Sequence, residues 1–423
     1  MPTSRRQFLQ STAAAAAATA AVTAAAGIAS AATAEKRVTR EQLDRILDQP
    51  VLKTEFLSSP VTVASIELLR NGKTFMVRAR STDGAVAITV PNSNRVANIW
   101  PLMVNQIFPV FVNQDARQFE SLIWDCYRFK DNYKYQGMAL WIGVMAVEQA
   151  LLELMGQTAK RPVADFFGGR LRDDIPIYVA SGVRGNKPEE EVERLQKMVA
   201  DSGAQALKFR LGGRMSRNAD SLPGRTEALI PLVRKTFGDA FTLYADANSS
   251  YDVANGIRIG RIMEEHNYGF YEEPCEFDDL WGTKSVADAL EKIPVALGEQ
   301  EFSMHRFRWC IETRAADIMQ PDLHYFGGYV RSTRVARMAA AAGMTLVPHM
   351  SGGSLGYLDL THFCSFTPNV GPFMEFKGNA DIPVSCATSS LKAENGVVRC
   401  PSGPGFGVTL DPAFVAKATV VTP

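Results

Sequence analysis

Two patterns of apolar and polar positions divide this chain. From Val61 the segment VTVASIELLRNGKTFMVRARSTDGAVAITV alternates apolar and polar residues, with breaks at Asn71-Gly72 and Asp83-Gly84. Alternation of period two reads as strands with one buried face, and the Asn-Gly and Asp-Gly pairs read as hairpin turns, so three antiparallel strands are predicted. A short helix is predicted before them, near Glu41 to Leu47. Helical spacing then takes over and ends in LWIGVMAVEQALLELMGQTAKRPVADFFGG, whose apolar residues recur at helical intervals up to Gly156. The outcome is an α+β unit over residues 61–174, entered through a polar linker at 35–60.

From Ile175 the pattern changes. Short β-rich runs (IPIYVASG, ALKFRLG, FTLYADAN, GFYEEP, IPVALGE, ADIMQPD, MTLVPHM and PFMEF) are separated by stretches long enough for a helix. Eight such runs predict parallel strands with crossover helices, and eight strands close a (β/α) barrel of the TIM type over residues 175–378. From the second run onward each carries ionisable residues near its end: Lys208 and Arg210, Asp246, Glu272, Glu299, Asp322, His349 and Glu375. From Asp246 on they stand between 23 and 27 residues apart, about one βα unit. The C-terminal strand ends form the active face of such barrels, whereas acids scattered on helices would keep no such phase.

The residue types then suggest chemistry. Asp246, Glu272 and Glu299 end three consecutive strands and offer only carboxylate oxygens, a hard donor set that suits Mg²⁺ with positions left open. Strand alternation sends Glu272 inward and its neighbour Glu273 to the other face, as an acid that is salt-bridged or packed just behind the metal ligands. Asp322 and His349 end neighbouring strands, where the carboxylate would fix one imidazole nitrogen and leave the other as a general base. Lys208 and Arg210 are two apart and share one face, which, turned inward, would neutralise negative charge on a substrate. His324, two residues beyond Asp322, is placed to touch that substrate.

Composition narrows the field. The 423 residues are 46% hydrophobic and 21% charged, with 45 basic and 45 acidic side chains. That is a globular chain whose charge balance argues against nucleic acid or an anionic membrane as partner. Six cysteines show no CxxC pair and suggest no zinc site; they read as buried thiols, with a Cys386–Cys400 disulfide as the one option in an oxidising compartment. The N-terminus runs SRRQFLQ, then an alanine-rich stretch from Ala13 to Ala32, then ASAATAE. This reads as a twin-arginine-type signal peptide over residues 1–34, cleaved near Ala31 or Ala34. Export of a folded protein to the periplasm is expected, without stable membrane contact after cleavage.

The ordered series KFR, DAN, EEP, GE, QPD…GG, PH and MEF resembles the mandelate racemase and muconate lactonizing branch of the enolase superfamily, over about Val61 to Asp411. The preceding GVMAVEQALLELMGQTAKRPVADFFGG is similar to that family's helix and glycine pair leading into the barrel. The resemblance implies an α/β fold: a modified (β/α) TIM-type barrel under an α+β capping domain formed by the N-terminal part and the C-terminal segment, residues 379–423. It also implies Mg²⁺ on Asp246, Glu272 and Glu299, with Asn248 beside the metal. Glu375 would donate a hydrogen bond to a carboxylate or enediolate oxygen, and the partners would be a small carboxylate substrate and further copies of the chain.

Relatives commonly carry Lys-x-Lys on the second strand, with the second lysine as a base opposite the histidine. Here Arg210 holds that place, and arginine is effectively always protonated. A racemase needs a base on each face; a dehydratase needs one. The expectation is therefore Mg²⁺-dependent dehydration of an aldonate- or aldarate-type sugar acid by His349, giving a 2-keto-3-deoxy acid. The alternatives are epimerisation or racemisation of a 2-hydroxy acid with Lys208 as second base, and a non-catalytic exported sugar-acid binding protein. Selectivity is expected from TVPNSNRVAN starting at Thr89, from the segment near Phe108, and from GGRMSRNADSLPGR, whose Arg214, Arg217 and Arg225 would suit an extra carboxylate.

Overall fold

The computed structural model describes residues 38–351, 355–378 and 382–422, so the expected signal peptide lies outside the described residues. The predicted meander is present as β1 (Val63–Asn71), β2 (Thr74–Ser81) and β3 (Val86–Thr89), all antiparallel. Gly72, at φ 59°, takes the left-handed turn position that a side chain resists. The free edge of β1 is filled from the far end of the chain, where Val420 pairs with Leu69 and Thr419 with Arg70. The C-terminal segment thus does complete the N-terminal sheet.

Behind the sheet lies α1 (Met138–Ala159), packed on β2 and β3. It is long and apolar enough to cross a membrane, but 83% of its most apolar window is buried inside the protein. Its all-round hydrophobicity is that of a helix covered on every side.

The barrel strands are β4 (Asp174–Ala180), β5 (Ala206–Arg210), β6 (Thr242–Asp246), β7 (Phe270–Glu272), β8 (Val295–Leu297), β9 (Ile318–Met319), β10 (Thr345–Leu346) and β11 (Met374–Phe376). They pair in parallel from β4 through to β10, and β11 pairs with β4 to close the ring. Leu346 bridges to Val370 just ahead of β11, which seals the last gap. Helices fill the connections, among them α2 (Leu323–Phe326), α3 (Tyr329–Ala341) and α4 (Gly356–Phe366). After β11 the chain runs back toward the cap through short strands, one of which, Val397–Arg399, pairs antiparallel with β4. The cysteines stay free. The disulfide option fails because Cys400 is buried with its sulfur 3.6 Å from His362 Nδ1, while Cys386 is half-exposed and bonded to Thr388.

One buried acid couples cap helix and barrel. Glu148 of α1 accepts the backbone N–H groups of Tyr329 and, at 2.9 Å, Val330, which open α3. Burial pushes its carboxyl up to about 8. Glu148→Ala would strand two donors away from water, and is expected to cost about 2 kcal/mol of stability, read as a lower urea midpoint at unchanged slope.

Candidate active site

Strand register explains the phase of the ionisable residues. Arg210 sits opposite Asp246, and Asp246 opposite Glu272, so three neighbouring strands end at one level. Glu299 lies beyond the end of β8, after Gly298. Gly298 has φ 125°, and a Cβ there would stand 2.8 Å from the Phe307 ring, so glycine alone lets the chain turn at this point. One ligand atom from each of Asp246, Glu272 and Glu299 lies within 4.8 Å of the others, and all three are buried. Glu299 Oε2 has no hydrogen-bond partner there. A buried all-carboxylate triangle with an unsatisfied oxygen fits a hard divalent cation, which would offset the cost of burying three acids.

Cations of the chain already hold part of that charge. Lys208 Nζ donates to both oxygens of Glu272, at 2.9 and 2.8 Å, and Gln320 Nε2 donates to Oε2 at 2.9 Å. Burial works to raise the Glu272 carboxyl, but the Lys208 ammonium outweighs it and holds the group below its ordinary range. Arg210 pairs with Asp246. Both basic residues of the second strand thus face inward as expected.

Glu273 departs from expectation in its direction, although its bond to Asn248 does place it just behind Asp246. It is buried rather than turned outward, and accepts from Asn248 Nδ2 at 3.3 Å. β7 ends at Glu272, and Glu273 has φ 42°, so strand alternation stops one residue too early to send it to the other face. Burial, together with the charges of Glu299 and Glu272, raises its carboxyl well above the usual range.

Across the barrel, His349 Nδ1 lies 2.7 Å from Asp322 Oδ2. The other Asp322 oxygen accepts the N–H groups of His324 and Tyr325, each at 2.9 Å, which caps α2 and locks the carboxylate. With Nδ1 as donor to this fixed acceptor, Nε2 keeps its lone pair. It faces Glu299 Oε2 at 3.2 Å and Glu375 Oε2 at 3.7 Å. Burial would depress the imidazole, but the charges of Glu299 and Glu375, with the Asp322 bond, carry it above its ordinary value.

Glu375 also departs from expectation. Its oxygens lie 3.2 Å from Lys208 Nζ and 3.0 Å from Lys377 Nζ, and Met350 N–H donates to it at 3.2 Å. Burial raises the carboxyl, yet Lys208, Lys377 and His349 together hold it well below the usual range. A carboxylate in that state accepts hydrogen bonds, so the groups able to donate to a substrate oxygen are the two ammonium ions instead. Lys377 escaped the sequence reading, although it follows Glu375 by two and shares its face.

Asn248 adjoins the acidic triangle, its backbone N–H donating to Asp246 Oδ1 at 2.7 Å and Nδ2 to Oδ2 at 3.0 Å. His324 is buried with Nε2 3.0 Å from Asp359 Oδ2, and its Nδ1 is unpartnered. Asp359 of α4 is itself held by Gln149 of α1 and by the Tyr329 hydroxyl. Of the cap segments, the one from Thr89 reaches the barrel mouth: Asn92 donates to Ser351 Oγ at 3.0 Å, and Arg95 donates to the Tyr325 hydroxyl at 3.1 Å. The segment near Phe108 is core instead, with Phe108 and Phe111 buried, because its apolar side chains fill the cap interior. In the loop after β5, Arg225 is buried and donates to Asn186 O and Arg210 O, each at 2.9 Å, so it braces backbone and offers nothing to a ligand.

Comparison with known proteins matches residues 190–414 to the family described as enolase C-terminal domain-like. The chain is 27% identical over 304 residues to an arabinonate dehydratase of Saccharolobus solfataricus, covering 71% of this chain and 78% of that one. It is 28% identical over 354 residues to an L-rhamnonate dehydratase of Saccharopolyspora erythraea, covering 80% and 83%. Among solved structures, a candidate racemase from Roseobacter denitrificans superposes with a TM-score of 0.78 at 31% identity, over 85% of this chain and 99% of that one. A mandelate racemase/muconate lactonizing protein from Paracoccus denitrificans, solved with magnesium, shares the fold at a TM-score of 0.76 and 24% identity, over 85% and 99%.

Proposed function

The chain belongs to the enolase superfamily, in its mandelate racemase and muconate lactonizing branch, and from that premise we propose that it dehydrates a sugar acid to a 2-keto-3-deoxy acid. The observation that carries this reading is the single base: a His349–Asp322 dyad stands opposite the acidic triangle, and the place of a second base is taken by Arg210. Relatives named as arabinonate and L-rhamnonate dehydratases support it.

In this reading Asp246, Glu272 and Glu299 hold Mg²⁺, which supplies the positive charge that makes a proton next to a carboxylate removable. His349 Nε2 takes that proton from C2, and Asp322 stabilises the imidazolium through Nδ1. Lys208 and Lys377 offset the charge that builds on the substrate carboxylate oxygens. The C3 hydroxyl departs as water with the proton carried on Nε2, leaving an enol that tautomerises to the ketone. Lys208 is poorly suited to be a second base, because Glu272 and Glu375 both hold its ammonium and carry its pKa far above neutrality. That weighs against epimerisation.

The test is incubation of the protein with Mg²⁺ and a library of C4 to C6 aldonates and aldarates, with semicarbazide to trap 2-keto-3-deoxy products. Silence there, with C2 proton exchange in D₂O, would replace dehydration by epimerisation; silence in both would leave a binding protein. Asp322→Asn tests the dyad. An amide offers Nδ1–H no charged acceptor and lets the ring flip tautomer, so kcat is expected to fall about 10²–10⁴-fold with KM little changed, read by steady-state kinetics.

A further inference from the structure

Two arginines converge on one amide beside the acidic triangle. Arg184 lies on the loop after β4 and Arg214 on the loop after β5, and both guanidinium groups donate to the same atom, Asn248 Oδ1, with Arg214 Nη2 at 3.2 Å. Among the described residues neither has a carboxylate within ion-pair distance. Arg184 Nε is buried and unpartnered, as is Nε of the neighbouring Arg210. Burial and the nearby charges of Arg210 and Arg214 push Arg184 down to about 9. Glu273, the acid that also reaches Asn248, accepts from the amide nitrogen and forms no ion pair with either arginine among the described residues.

Arg214 is exposed to solvent, but the buried N–H left over on Arg184 is costly until an acceptor completes it, and an anion placed there would meet both guanidinium groups. The carboxylate beside the reacting carbon is already provided for by Lys208, Lys377 and the cation that the acidic triangle would hold. We infer, resting on the dehydration reading, that the substrate carries a second anionic group at its far end, a carboxylate of a sugar diacid, received by Arg184 and Arg214. Arginine suits this because its planar fork meets a carboxylate in two parallel hydrogen bonds. Of the arginines that follow β5, Arg214 reaches Asn248, whereas Arg225 donates to Asn186 O and Arg210 O and so ties the loop after β4 to the end of β5.

The test compares ligands that differ only at the far end. The Mg²⁺-loaded protein is titrated by calorimetry with a C6 aldarate, the matching C6 aldonate, and that aldonate phosphorylated at C6. Binding of the aldarate at least tenfold tighter than the aldonate is expected, with Arg184→Gln and Arg214→Gln each cutting that ratio toward one. Preference for the phosphate ester over the diacid would overturn the carboxylate assignment. Equal affinities in the parent protein, or variants that weaken both acids alike, would overturn the inference and leave the arginines as braces for Asn248. Because binding is read apart from turnover, aldonate dehydration without diacid preference removes the inference alone, and diacid preference without any keto product removes the dehydration reading alone.

Discussion

Replacing His349 by asparagine is expected to lower kcat by about 10²–10⁴-fold, the range a positioned general base contributes. The amide of asparagine retains a polar contact for Asp322 but holds no titratable lone pair at the position of Nε2, 3.2 Å from Glu299 and 3.7 Å from Glu375. Asp322 itself stays in place through the N–H groups of His324 and Tyr325, so the fold around the site has no reason to move. Loss of keto-acid formation should therefore come with loss of C2 proton exchange in D₂O, while Mg²⁺ affinity persists. If exchange continues at the parent rate, the proton leaves to another group and the dyad is not the base. The choice of asparagine matters, since alanine would also open a cavity and strand Asp322, confusing chemistry with packing.

The second large effect is expected on metal binding. At a Mg²⁺ concentration a hundredfold above its dissociation constant, the folded protein should gain about 2.7 kcal/mol, seen as a rise in the thermal midpoint that chelation by EDTA reverses. Glu272→Gln should abolish both this stabilisation and the turnover. Glu272 is the central acid of the triangle, paired in register with Asp246 and carrying Lys208 and Gln320 on its oxygens. An amide keeps the volume and one acceptor while removing the charge that a divalent ion needs. The metal-free protein should lose stability too: Lys208, buried and deprived of one carboxylate, keeps Glu375 at 3.2 Å as its ion-pair partner, so the variant should be less stable than the parent even without Mg²⁺. A Mg²⁺-dependent midpoint shift that survives in Glu272→Gln would move the cation site away from the three acids.

Much of the site was legible along the chain because a barrel converts sequence spacing into geometry. Each βα unit adds one strand, so acids recurring once per unit had to gather at one rim, and Asp246, Glu272 and Glu299 do. His349 and Asp322 were legible for the same reason, as the bridge between their two strands places them side by side. What spacing did not convey were groups whose direction depends on single dihedral angles. Glu273 was expected to face away by alternation, yet a backbone turn at φ 42° folds it in beside Asn248. Arg184 gave no signal in SGVRG, since a loop has no period from which to read a facing direction.

Charge state was a second blind spot. Glu375 was expected to donate a hydrogen bond, but that requires a proton that Lys208 and Lys377 displace, and their approach is a property of three strand ends at once. The same holds for Arg225, which reads as one of three free arginines in its loop and is consumed by backbone carbonyls.

By itself the sequence determined the architecture, the order of the strands and which residues end them, because hydrophobic periodicity and turn chemistry are local and a closed barrel leaves few ways to satisfy them. Only the tertiary structure decided which ionisable groups neutralise one another, which arginines converge on one amide, and how the last strand returns to pair with β1. Those outcomes depend on distances between residues far apart in the chain and on the loss of water around them. Both arise only when the whole barrel is closed.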